Sequence, residues 1–238
     1  MTSVKAYINT VYSYIKPYKD VLWFLFLFFF FDFLWKLLTD ESINHDTISV
    51  LGKDITQSIE PINRWIAQNT YWVVHSLLGF SDYKINGTLI YFEGSLKFDI
   101  VWGCTGIKQM IMLTFIMLFY YGPTKKKVWY IPLSLLFIYL LNIARIVAVV
   151  FITKGGFPEW FIQFNEWYSN RIWDDSVRTY WTFYLDWFEL FHRDILGWFY
   201  YIGGMFLVWL LWQEKFNLPY RKQIESSEKT KASANESL

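Results

Sequence analysis

The chain has 238 residues, of which 54% are hydrophobic, 23% aromatic and 18% charged, and its formal net charge is +1. Soluble domains carry about 45–50% apolar and about 25% charged residues, so 23 Phe, 17 Tyr and 14 Trp point to a membrane protein with much interfacial ring surface. The aromatic content excludes disorder, the single cysteine excludes a disulfide scaffold and a Cys-built zinc or iron–sulfur site, and the near-neutral charge gives no argument for nucleic acid.

Taken in chain order, the first element is an apolar run from Val21 to Leu38 with the core LWFLFLFFFF. About 20 apolar residues span a bilayer. The run exceeds the apolar stretch of a cleaved signal peptide, and no A-x-A pattern follows it. A retained transmembrane helix is expected over 21–38. Asp32 sits within it, either facing the helix bundle near the outer end or serving as a polar relay. Residues 58–80 place Ile59, Ile62, Trp65, Ile66, Val73 and Leu77 at helical spacing beside Glu60, Asn63, Arg64, Gln68 and Asn69. That pattern predicts an amphipathic helix, either a poor membrane span or a helix lying on the bilayer. Residues 83–102 partly alternate, with Asn86-Gly87 and Glu93-Gly94 as turn signals, and read as a small external β-hairpin or meander.

Three further spans are expected over 105–121, 128–152 and 194–212. The tail over 213–238 is polar, with its last dozen residues expected to be disordered. Lysines 125–127 form a short basic loop, which charge bias assigns to the cytoplasm. Four crossings with 58–80 outside then satisfy every loop, and the tail is cytoplasmic. The predicted architecture is an all-α polytopic membrane bundle over 1–212. It has about four transmembrane helices, an external amphipathic helix and a small external β-hairpin. Membrane lipid is the expected surrounding, and no metal or organic cofactor is called for.

Three residues carry candidate chemistry. Cys104 sits in WGCTGIKQM between Gly103 and Gly106, where an external strand turns into a membrane helix. Thr105 is the expected N-cap of that helix, whose macrodipole favours thiolate just ahead of it. Gly103 permits close backbone approach. An inert buried cysteine is the alternative. Arg145 lies in LLNIARIVAVVF, about 12 Å from the outer end at helical rise, with Asn142 on the same face. An Arg at that depth is costly unless it faces protein or water. It either binds a carboxylate or stabilises an oxyanion, or it snorkels or pairs with Asp32 or Glu189. His192, in FHRDILGWF, opens the last span, with Glu189 and Asp194 near enough in sequence to orient it. It is either a general base or an interfacial belt histidine. All three residues point to the outer leaflet, where nucleophile, stabiliser and base are the parts of acyl transfer through a thioester.

WGCTGIKQM, NIARIVAVV and FHRDILGWFYY, in that order, resemble the Cys, Asn-x-x-Arg-Ile and His motifs of the exosortase/archaeosortase family. These are multi-pass membrane cysteine transpeptidases. The resemblance, over about 85–212 and to a short subfamily, implies that Cys104 attacks a C-terminal sorting signal. Arg145 would then position or polarise the carbonyl and His192 would handle the proton. It implies a protein substrate whose signal combines a short motif, a transmembrane helix and a basic tail, with transfer to a cell-surface acceptor outside the inner or plasma membrane. The rival readings are a non-catalytic scaffold in surface-polymer export and a membrane acyltransferase. A quinone-linked disulfide enzyme needs paired cysteines. A rhomboid-type protease needs a Ser in the bundle, and Ser95 and Ser134 are both badly placed.

Overall fold

The computed structural model describes residues 16–42, 46–154, 160, 163, 167, 197 and 199–236. His192, His45, Glu189, Asp194 and most of the loop between 154 and 193 lie outside the described residues. In chain order the elements are α1 (Lys19–Leu38), β1 (Thr39–Glu41), β2 (Ile48–Val50), β3 (Lys53–Asp54), α2 (Thr56–Tyr71), β4 (Tyr83–Asn86), β5 (Leu89–Phe92), β6 (Phe98–Asp99), α3 (Ile107–Phe119), α4 (Thr124–Lys154), α5 (Met205–Trp212) and α6 (Leu218–Glu236).

Among the described residues two helices are long and apolar enough to cross a membrane, Lys19–Leu38 and Thr124–Ile152. Both turn large side chains outward, including Phe26, Phe29 and Phe33 on α1 and Leu133, Leu136 and Leu140 on α4, as lipid contact allows. The expected span over 105–121 is a shorter apolar helix, Ile107–Phe119. Its ends explain the difference. Gly106 adopts φ +74° ahead of it, and Gly122-Pro123 follows it, where proline disfavours helix at the residue before. Of the span expected over 194–212, the described part is Phe199–Gly204, wound with π hydrogen bonding, followed by α5.

The chain forms two compact units. The first comprises Met1–Asp40, Ile107–Phe137 and Met205–Leu238. Within it α1 packs on α3 through Phe31, stacked on Phe115 at 5.4 Å and tilted against Phe119 at 5.7 Å. Asp32 lies in an ion pair with Lys36 at 2.7 Å, one turn along the same helix, and with Lys108 of α3 at 3.2 Å. The lysines expected in a loop belong to the first turns of α4. Lys127 is buried, and its Nζ donates to the Leu118 carbonyl at 2.9 Å and to the Tyr120 carbonyl. It thus satisfies acceptors that the end of α3 leaves open. A second polar cluster centres on Gln213. Its Nε2 donates to Asp20 at 2.8 Å and its Oε1 accepts from Asn217 at 2.7 Å, while Arg221 donates to Asp20 at 2.9 Å. The tail differs from its expectation of disorder, because α6 continues to Glu236. Its Lys, Glu, Gln and Ala residues are good helix formers, and Glu225 and Lys229 stand at supportive i,i+4 spacing.

The second unit comprises Glu41–Gly106 and Ile138–Gly204. β2 and β3 form a tight antiparallel pair, Ser49 opposite Asp54. Asp54 then accepts the Thr56 N–H at 2.8 Å, an Asx-type turn that leads into α2. β4, β5 and β6 form an antiparallel sheet, with Tyr83 opposite Phe92 and Ile90 opposite Phe98. Gly87 takes φ +66° at the β4–β5 turn, where a side chain would be strained. The buried face of α2 is Ile59, Asn63, Ile66, Ala67 and Thr70, at spacings of three and four. Ile62 and Trp65 of the expected apolar set are exposed, because the buried face centres on Ile59, Asn63 and Thr70, with Ile62 at its edge and Trp65 beyond it. The core gathers Ile66, Ala67 and Val74, the sheet residues Tyr83, Ile90 and Phe92, and Ile143, Ile146 and Val150 of α4. Cys104 belongs to it.

Candidate active site

The cysteine motif folds as a single tight turn. Trp102–Cys104 forms one turn of 3-10 helix, with the Cys104 N–H donating to the Val101 carbonyl at 2.9 Å and the Thr105 N–H to Trp102 at 3.0 Å. Trp102 anchors the turn by burying its ring. Gly106 in the left-handed region then redirects the chain into α3. Thr105 differs from the expected N-cap. The helix opens at Ile107, so Gly106 stands between them, and the Thr105 hydroxyl donates back to the Trp102 carbonyl at 2.8 Å. Gly103 lies inside the turn.

Two side chains of α4 meet this turn. Asn142 Nδ2 donates to the Cys104 carbonyl at 2.9 Å, and the Arg145 guanidinium reaches the same oxygen at 3.4 Å. Asn142 is 0%, Cys104 2% and Arg145 6% exposed. Three of the sequence-predicted site residues therefore share one carbonyl oxygen. Asn142 and Arg145 are three residues apart, so both project from one face of α4. From Arg145 to Lys154, at the end of α4, the helix rises about 13 Å. The turn is held at that depth.

Burial pushes the Cys104 thiol up from its ordinary range. The Arg145 charge and the turn's own hydrogen bond pull it down, and Asp99 adds to the rise. The expectation of a thiolate favoured by the helix terminus is thus reversed. Loss of water around the sulfur outweighs the nearby positive charge.

The upper end of α4 is pinned in the same unit. Lys154 pairs with Asp82 at 3.5 Å and lies 4.4 Å over the ring of Phe80 and 4.2 Å over that of Phe92. The sequence did not single out Lys154. Its signal would have been a lone cation closing an apolar helix. Nor did it single out Lys108, four residues after Cys104, which pairs with Asp32. Among the described residues there is no cluster of three His, Cys, Asp or Glu side chains able to hold a metal ion.

A lone buried thiol, two cationic or amide donors on its carbonyl and long apolar helices define a membrane protein with a candidate cysteine site. Residues 47–170, more than half of the chain, match the family of transmembrane exosortases. The chain belongs to that family. The matched stretch contains Cys104, Asn142 and Arg145 and ends before His192. No curated protein and no solved structure matches the chain.

Proposed function

We propose that the chain is a membrane transpeptidase that cleaves a C-terminal, membrane-anchored sorting signal and passes the protein to a cell-surface acceptor. The observation that carries this reading is the convergence of Asn142 and Arg145 on the carbonyl of Cys104, within a stretch that matches the exosortase family. In this reading the helices around 21–38, 105–121, 128–152 and 194–212 make four crossings. The site then faces the extracytoplasmic side, and the tail after 212 lies in the cytoplasm.

Cys104 is the nucleophile, and His192 takes the thiol proton when the substrate enters. The sulfur attacks the scissile carbonyl carbon, and the tetrahedral oxyanion forms near the Arg145 charge. The C–N bond then breaks, and the His192 imidazolium returns its proton to the leaving amine. The thioester passes its acyl group to an amine or hydroxyl of the acceptor, which loses a proton as the thiol re-forms. Burial of the thiol supports this order, since a neutral sulfur is protected until a base and substrate are both present. Asn142 and Arg145 fix the backbone from which the thiol projects, and a reacting atom needs such placement.

The test is a processing assay. A candidate substrate with a C-terminal helix and basic tail is co-expressed with the wild type and with Cys104→Ala, Arg145→Ala and His192→Ala. Cleavage in the wild type, lost in all three variants, is expected. Continued cleavage by the Cys104→Ala variant ends the cysteine mechanism.

A further inference from the structure

We propose that α2, polar by composition, is sunk into the outer half of the bilayer, with the stripe of Ile62, Trp65 and Trp72 against lipid acyl chains. Trp65 is 53% exposed yet stacks on Tyr139 of α4, centroids 5.0 Å apart and planes 18° apart. Tyr139 lies near the middle of the 29-residue candidate span Thr124–Ile152. From Tyr139 the helix rises about 20 Å before Ile152, and the hydrocarbon core is about 30 Å thick. A ring stacked on Tyr139 therefore lies below the outer boundary of the hydrocarbon, not on the surface above it.

A second contact shows that the approach is extended. Phe80, beyond the end of α2, meets Phe151 of α4 edge-on at 5.0 Å. The segment from Trp65 to Phe80 thus follows α4 from its middle to its upper end. Beside Tyr139 on α4, Leu140 is exposed, so the Trp65 face continues the apolar surface that this part of α4 offers to lipid. Ile62 stands three residues before Trp65, and Trp72, the first residue of the π-wound segment Trp72–Leu77 that continues α2, stands seven after, which extends the stripe along one side.

Three polar side chains of α2, Glu60, Arg64 and Asn69, are partnered within the helix, while Gln57, Ser58 and Gln68 are exposed. Glu60 and Arg64, both exposed, neutralise each other at 2.6 Å. The Asn69 amide folds back and donates to the Trp65 carbonyl at 2.7 Å. Asn63 and Thr70 are turned into the protein. Charges that pair and amides that bond to their own helix are the forms tolerated at membrane depth. The occupant of the stripe is therefore lipid, and α2 is a wedge beside α4.

The experiment reads depth by spin labelling. Trp65→Cys and Ile62→Cys are each made in the full chain carrying Cys104→Ser, labelled, and placed in phosphatidylcholine–phosphatidylglycerol vesicles. Leu140→Cys marks a lipid-facing site and Leu51→Cys, in the exposed β2–β3 turn, marks a surface one. The expected oxygen-to-nickel collision ratio at Trp65 and Ile62 is several-fold above that at Leu51 and matches that at Leu140. A ratio matching Leu51 at both positions overturns the proposal. Low collision with both reagents also overturns it, since protein then covers the stripe. Should Trp65→Cys fail to fold, Ile62→Cys alone decides.

Discussion

The two units treat buried polarity in opposite ways. In the first, Gln213, Asn217, Asp20 and Arg221 bond to one another, and Lys127 closes the end of α3. These groups satisfy the ends and seams of helices. In the second, Asn142 and Arg145 converge on one backbone oxygen, and that oxygen belongs to the residue carrying the chain's single thiol. Under the proposed function that thiol is the nucleophile, and the first unit places no such group beside its polar cluster among the described residues. The contrast separates a cluster whose loss should cost stability from one whose loss should cost chemistry.

The largest expected effect is at the thiol. Cys104→Ala should abolish substrate processing, while Asp20→Asn should leave processing per folded molecule unchanged. Quantitative immunoblotting of cleaved and uncleaved substrate checks both, and activity lost equally in the two variants would erase the contrast. Next comes Arg145→Ala, for which a fall on the order of 10²–10³ in processing rate is expected if the guanidinium serves the oxyanion. Asn142→Ala should cost less, up to about tenfold, as the loss of a single neutral hydrogen bond suggests. A reversed ranking would make Asn142 the principal support of the turn.

The thiol's acid–base behaviour sharpens the comparison further. Burial raises the Cys104 thiol and Arg145 lowers it, so alkylation should rise only above the pH range of a free cysteine. Removing the positive charge in Arg145→Gln should move that rise to still higher pH. Iodoacetamide labelling across a pH series measures it, and a shift to lower pH would contradict the assigned role of the guanidinium.

In the first unit, Gly122→Ala should destabilise by roughly 1–3 kcal/mol. A Cβ there would lie 2.8 Å from the Trp212 ring, and the backbone sits at φ +124°. Thermal unfolding in detergent should show the loss without a change in processing per folded molecule. The smallest expected effect is Lys154→Ala, roughly 1 kcal/mol. Its ion pair with Asp82 is partly exposed and such pairs contribute little, leaving its ring contacts as the main loss.

The meeting of Cys104, Asn142 and Arg145 could be anticipated in the sequence, because a charge within an apolar run is rare enough to be informative. Arg145 stood out for that reason, and Asn142 followed from a spacing of three. The depth of the cysteine turn could not be read, since it depends on which residue of α4 the Cys104 carbonyl meets. The reversed preference of the thiol was hidden for the same reason, as burial belongs to the packed core and not to the motif. Helix ends were only partly legible. Gly122-Pro123 is a plain stop, yet Gly106 mattered through its φ of +74°, which placed the start of α3 two residues past Thr105. The lysines at 125–127 show how charge counting can miss packing. One of the three is buried as a cap, although the sequence presents them as equals.

Both backbone groups of Cys104 are already committed. Its N–H closes its own turn, and its carbonyl is gripped from α4. The main chain at this residue therefore cannot swing toward a reactant, and χ1 is the remaining torsion, with three staggered settings. A sulfur on such a short, fixed arm works as a stationary post. In the proposed mechanism, the carbonyl that acylates it has to be delivered within reach of one of three points, and an acceptor must later arrive at the same place.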